Sequence, residues 1–294
     1  MIKEYQCVID VQIKHNRSKN FFCRNAENIF SFAPETIINA DQACRMNRRD
    51  QEQLISYTVL KVLQEFCRIN QYISFDEMDR GSLSNIYSSL LYNIKEGKDT
   101  YQTIAEQHYR NIRRWLLQSN PFVREIYSNL DIYLESVCCS EYSAELQLEL
   151  LHMDVLTLSE PILDIGCGEQ GTLVRYLRKT GLEAYGIERF SNNADFIQST
   201  DWLAYDYGIS RWGTIISNLG FSNHFQHNHL RKDGNYIIYA QKYMETLRSL
   251  KKGGCFHYAP ALPFIEQFLN EKEYQVSNFK IDNLAHRTTI IKRL

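Results

Sequence analysis

The spacing of apolar residues along the chain changes near residue 155. Before it they recur three and four residues apart, in ISYTVLKVLQEFCRI (55–69), NIYSSLLYNI (85–94), TIAEQHYRNIRRWLL (103–117) and SAELQLELLHMDVL (143–156). Each run presents one apolar face and predicts an amphipathic helix. Beyond residue 155, short β-rich runs alternate with helical ones, and ILDI, EAYGIE, DFIQS, GTIISN, GCFHYA, YQVSNFKI and HRTTIIK make seven candidate strands. The first five alternate with helical segments, which predicts a largely parallel sheet; the last two have no long helix between them and are expected to pair antiparallel. The expected fold is α/β, a doubly wound, seven-stranded, mostly parallel sheet behind an N-terminal helical domain. The domain limits are placed at 1–140 and 141–294.

Pro161-Ile162-Leu163-Asp164-Ile165-Gly166-Cys167-Gly168-Glu169-Gln170-Gly171 runs from an apolar strand through a glycine-dense turn into the helical run TLVRYLRKTG. Glycine permits φ > 0 and lets a ligand approach the backbone, so a ligand is expected across the carboxyl end of that strand. Gly166-x-Gly168-x-x-Gly171 also satisfies a dinucleotide fingerprint. Asp164, two residues ahead of the first glycine, would repel a pyrophosphate but accept hydrogen bonds from a cationic amino-acid group. Glu188, ending Ala184-Tyr185-Gly186-Ile187-Glu188, can hold both hydroxyls of a ribose. That suits an adenosyl ligand of either class.

On these residues the chain resembles the class I S-adenosylmethionine-dependent methyltransferase superfamily over about residues 142–294. The most specific part is Asp164-x-Gly166-x-Gly168, followed by Gly186-Ile187-Glu188. Ser199-Thr200-Asp201-Trp202 looks like the family's acidic residue after the third strand, and Ile215-Ile216-Ser217-Asn218 like the fourth-strand end. Leu247-Arg248-Ser249-Leu250-Lys251-Lys252-Gly253-Gly254 looks like the helix and turn leading into the fifth strand. The resemblance implies S-adenosylmethionine as cofactor, with methionine-end contacts around Asp164, Gly166, Cys167 and Gly168. It implies ribose contacts at Glu188 with Arg189 beside it, adenine contacts at Asp201 and Trp202, and cofactor or acceptor contacts at Asn218. Two positions depart from the family pattern. Six residues separate Glu188 from Asp195, against roughly ten or more for a parallel crossover with a helix, so that helix is expected to be reduced or absent. Gly213 stands where the family often has an acid.

Methyl transfer from a sulfonium needs alignment and, at most, removal of a proton from the acceptor. The acceptor is expected beside the ends of strands one, four and five. Ser217-Asn218-Leu219-Gly220-Phe221-Ser222-Asn223-His224-Phe225-Gln226-His227-Asn228-His229 offers His224 as a general base. Its three histidines, with His257, could instead form a metal site, or the segment is a polar loop bonded to water and backbone; no metal is predicted. Asn218-Leu219-Gly220-Phe221 echoes the motif of amino-group methyltransferases but lacks both its prolines. His257-Tyr258-Ala259-Pro260, ending the fifth strand, could line an acceptor pocket as donor and aromatic wall. The catalytic candidates are His224, His257 and Tyr258.

Charge narrows the acceptor. Lys plus Arg number 33 against 35 Asp plus Glu, a net charge of -2 with no basic stripe, so a small molecule methylated at oxygen or nitrogen is expected and nucleic acid is disfavoured. An RNA or protein acceptor, or a non-catalytic S-adenosylmethionine-binding regulator, is the alternative. A nicotinamide-dependent oxidoreductase is the rival that Asp164 opposes. Arg110, Arg113 and Arg114 are read as a solvated helix face. The 8 cysteines, including adjacent Cys138 and Cys139, form no C-x-x-C and read as reduced packing residues. With no signal-peptide pattern and no membrane-length apolar run, a soluble cytoplasmic protein without membrane partners is expected. The aromatic-rich N-terminal half is expected to act as an accessory or lid domain that shapes the acceptor site, with Tyr142-Ser143 near the methionine end.

Overall fold

A computed structural model describes residues 2–23, 29–135, 142–190, 194–280 and 287–294. It forms two compact units, 1–139 and 140–294. Cys138 and Cys139 lie outside the described residues.

The first unit contains α1 (Ile2–His15), α2 (Pro34–Cys44), α3 (Arg48–Ile69), α4 (Glu77–Glu96), α5 (Tyr101–Ser119) and α6 (Phe122–Tyr127). Local chemistry sets several of the ends. The Asn47 side chain accepts from Asp50 N–H to start α3, Asp76 and Asp79 form a capping box on α4, and Thr100 caps α5. Gly97 closes α4 in the left-handed conformation. Between the helices Phe75 stacks on Trp115 at 4.8 Å, and Leu63, Leu83, Ile112 and Val123 are buried. Arg113 lies over the Phe22 ring.

His108 on α5 is 5% exposed and sits edge-on to Tyr87 and Tyr109. Burial lowers its pKa from 6.5 to about 3. Below pH 6.5 the unfolded chain takes up a proton that the folded chain refuses until about pH 3, so stability falls as pH drops through that window. The slope is about 1.4 kcal/mol per pH unit, or about 2 kcal/mol between pH 6.5 and about 5. His108→Phe is expected to remove that part of the pH dependence in urea unfolding; an unchanged slope would place the proton uptake elsewhere.

The second unit carries β1 (Ile162–Ile165), β2 (Ala184–Glu188), β3 (Ile197–Ser199), β4 (Trp212–Asn218), β5 (Leu250–Ala259), β6 (Tyr274–Lys280) and β7 (Arg287–Arg293) in one sheet of order β3-β2-β1-β4-β5-β7-β6. β3, β2, β1, β4 and β5 run parallel, and β7 is antiparallel to both β5 and β6. Consecutive strand residues serve opposite faces. Ile162, Ala184 and Ile216 pack with residues from α7 (Ala144–Leu150) and α8 (Thr172–Lys179). Leu163, Ile165 and Ile215 pack with α9 (Phe221–Leu230) and α10 (Tyr236–Ser249). A short α11 (Pro263–Glu266) follows β5. Strand order reverses between β1 and β4, the switch point at which doubly wound sheets bind ligands.

Three elements differ from the sequence expectation. The histidine-bearing segment read as a loop is α9, because Phe221 and Phe225, one turn apart, bury against Tyr239 and override the weak helix propensity of Asn and His. Lys251-Lys252-Gly253-Gly254, read as a turn, lies within β5 as an irregularity: Trp212 pairs with Leu250 but Thr214 with Cys255. The run 143–156 divides, since α7 ends at Leu150 and His152 takes a left-handed φ of 49° before a 3-10 turn at Val155–Thr157. Between β2 and β3 the described residues, 189–190 and 194–196, are non-helical.

Candidate functional site

The tips of β1, β2 and β4 meet at the switch point. Asp164 on β1 is 2% exposed and registers with Gly186 on β2 and Ile216 on β4. Gly166 and Gly168 follow with φ of 75° and 80°, conformations that a side chain would strain. A Cβ on Gly166 would also come within 2.9 Å of Trp202 Cζ3. Glu188 ties this turn to β2: its Oε2 accepts from Gly168 N–H at 3.2 Å and its Oε1 from Arg189 N–H at 2.8 Å. The Cys167 side chain is buried against Gly186, where a Cβ would lie 2.6 Å from its Sγ.

Beyond β3, the Asp201 carboxylate accepts from Leu203 N–H at 2.7 Å and fixes the turn that carries Trp202. Trp202 is 6% exposed; its ring meets His224 edge-on at 4.9 Å and the Arg189 guanidinium lies 5.8 Å from its centroid. At the tip of β4, the Asn218 Oδ1 is buried without a hydrogen-bond partner. Ser217, which the sequence reading did not single out, donates to Ile165 O at 3.0 Å and accepts from Phe221 N–H at 3.1 Å. Its hydroxyl thereby fixes β1 to the start of α9. Ser222, equally missed, donates to Ala259 O at 2.6 Å. A serine in a Ser-Asn-containing segment gives no sequence signal for such bridging.

Among the sequence candidates for the cofactor, Asp164, Gly166, Cys167, Gly168, Glu188 and Arg189 gather at the β1 and β2 tips. Trp202 reaches them through Gly166 and Arg189, and Asn218 ends the neighbouring β4. The three catalytic candidates do not converge. His224 is buried on α9, and burial, reinforced by the charges of Arg189 and His227, holds its pKa well below 6.5 and its ring neutral at pH 7. His257 and Tyr258 are successive residues of β5 and serve opposite faces. The His257 Nδ1 lies 3.1 Å from Leu151 O on one face. On the other, the Tyr258 hydroxyl donates to Glu266 Oε1 at 2.6 Å and lies 2.9 Å from the Tyr243 hydroxyl. The idea that these two line one pocket is thus corrected by strand alternation. The remaining α9 histidines also diverge, His227 lying beside Arg231 and His229 stacking on Phe264 at 3.8 Å. Among the described residues, no group of three His, Cys, Asp or Glu side chains is placed to hold a metal ion.

A reversed strand order with an antiparallel β7 between β5 and β6, and a glycine turn at the tip of β1 clasped by an acid on β2, decide the architecture. This is a doubly wound, Rossmann-like α/β fold.

No family model matches the chain, and no curated protein matches it. Solved structures similar to it include a TehB-like S-adenosylmethionine-dependent methyltransferase from Corynebacterium glutamicum, 15% identical over 45% of this chain and 79% of that one, with a TM-score of 0.34. Another is an S-adenosylmethionine-dependent methyltransferase from Bacteroides fragilis in complex with S-adenosylhomocysteine, 12% identical over 50% and 80%, TM-score 0.34. A third is an rRNA methylase from Streptococcus thermophilus, 12% identical over 53% and 99%, TM-score 0.34. No described helix is long and apolar enough to cross a membrane.

Proposed function

We propose that the chain binds S-adenosylmethionine at the β1–β4 switch point and transfers its methyl group to a small-molecule acceptor at oxygen or nitrogen. The observation that carries this reading is the Glu188 carboxylate, held at the tip of β2 by the Gly168 and Arg189 N–H groups. So fixed, it retains acceptor capacity for the hydroxyls of a ribose. Asp164 on the adjacent strand supplies negative charge beside glycines whose backbone a ligand can approach, and the Asn218 Oδ1 on β4 is a further acceptor awaiting a donor. Three oxygen acceptors around one turn fit a cationic ligand rich in donors better than a pyrophosphate. Asp201 and Trp202 are assigned to the adenine end, the indole forming a wall.

Bound S-adenosylmethionine would supply an already activated methyl group, leaving the chain to align the acceptor and exclude water. His224, neutral and weakly basic, suits an acceptor whose proton becomes acidic only as the new bond forms. His257 and Tyr258, each engaged in a buried hydrogen bond, are assigned to holding β5 in place. The balanced charge of 33 basic and 35 acidic residues favours a small acceptor over RNA.

The test is to incubate the full chain with methyl-labelled S-adenosylmethionine and, separately, a small-metabolite extract, total RNA and a protein fraction. Label in the metabolite extract alone is the expected result. Label confined to RNA or protein would overturn the small-molecule assignment, and no transfer to any pool would overturn the enzymatic reading.

A further inference from the structure

The helical unit forms a partly open cavity of about 180 Å³ among α1, α2, α3, α4 and α5, walled by groups such as Val8, Phe32, Ala40, Leu54, Phe66 and Tyr109. Protein interiors close-pack, and the cost of a void grows with its volume. A cavity of roughly 150 Å³ lined by aliphatic and aromatic groups stays dry and accepts benzene. Most of the polar groups that border this one are already committed. The Tyr109 hydroxyl accepts from Gln12 Nε2 at 3.0 Å and Asn16 Nδ2 at 2.6 Å, and Gln12 Oε1 accepts from Ala33 N–H at 2.8 Å. The Thr58 hydroxyl donates to Leu54 O at 2.8 Å. Thr36 is different: it lines the cavity, and its hydroxyl oxygen is buried with no hydrogen-bond partner.

We propose that this cavity is a binding site for a compact apolar molecule of one or two rings carrying a single hydroxyl, which Thr36 would pair. The rings would replace the missing packing, and one hydrogen bond would satisfy the orphaned oxygen. A charged group is disfavoured, because the two ionic side chains on the wall are already engaged, Lys19 Nζ donating to Asn16 Oδ1 at 2.7 Å and Glu65 Oε1 accepting from Arg68 at 2.7 Å, so its desolvation would be uncompensated. His108, also on the wall, is held neutral by its burial and adds no charge. The site belongs to the helical unit and stands independently of the methyl-transfer reading.

Calorimetric titration of the full-length chain with phenol, indole, benzene and benzoate tests it. Phenol and indole are expected to saturate one site with a negative heat-capacity change, benzene to bind several-fold more weakly, and benzoate not to bind. Val62→Phe on α3 and Ala43→Leu on α2 fill the cavity from different walls. Each is expected to weaken phenol at least tenfold while circular dichroism shows the fold retained. Thr36→Val is expected to erase the preference for phenol over benzene. Absence of saturable phenol and indole binding, benzoate binding as tight as phenol, or full affinity in a folded, cavity-filled variant would overturn the proposal.

Discussion

Glu188→Ala is expected to weaken S-adenosylmethionine binding by about 1–3 kcal/mol, the worth of lost hydrogen bonds to a charged acceptor. Two effects act together. The ribose hydroxyls lose their acceptor, and the Gly168 and Arg189 N–H groups lose the carboxylate that holds the glycine turn in place. Glu188→Gln keeps one oxygen acceptor and is expected to fall between the wild type and the alanine variant. Isothermal calorimetry on the three proteins checks the order. Equal affinities would remove Glu188 from the ligand site and leave it as a loop tether only.

A larger change is expected from Trp202→Ala, measured by chemical unfolding: a loss of about 3–5 kcal/mol, typical of a buried aromatic truncated to alanine. Trp202 is a core residue, in contact with Gly166 and edge-on to Phe221 and His224. Its removal would leave an indole-sized hole under the glycine turn. Trp202→Phe, which keeps much of the volume, is expected to lose less than half as much. A neutral alanine substitution would mean that the indole does not pack the turn.

Much of the second unit can be read from its sequence because its strands are compact apolar runs bounded by turn residues. ILDI coincides with β1, and the glycines after it announce where the strand stops and where the acids stand. The antiparallel pairing of β6 and β7 follows from the absence of a long helix between them. α9 is illegible in the same terms, since Phe221 and Phe225 stand among Asn, Gln and His and gain their partners from distant elements, Trp202, Tyr239 of α10 and Phe264. The early start of β5 is hidden because Lys-Lys-Gly-Gly has the composition of a turn. At the site, the grouping of Asp164 with Glu188 follows from successive strand tips. The opposite facing of His257 and Tyr258 was also available, in the two-residue alternation of a strand. Trp202 is ambiguous in the sequence: an aromatic after an acid at a strand end serves a ligand wall and a core equally well, and its neighbours add core packing to the adenine wall proposed for it.

The most direct test of the account is a competition titration of the full-length chain with S-adenosylmethionine, S-adenosylhomocysteine and NAD. S-adenosylmethionine and S-adenosylhomocysteine are expected to saturate a single site and displace one another, with NAD neither binding there nor competing. Preferential binding of NAD, or no saturable binding of either adenosyl ligand, would contradict the assignment of Asp164, Glu188 and the glycine turn to S-adenosylmethionine.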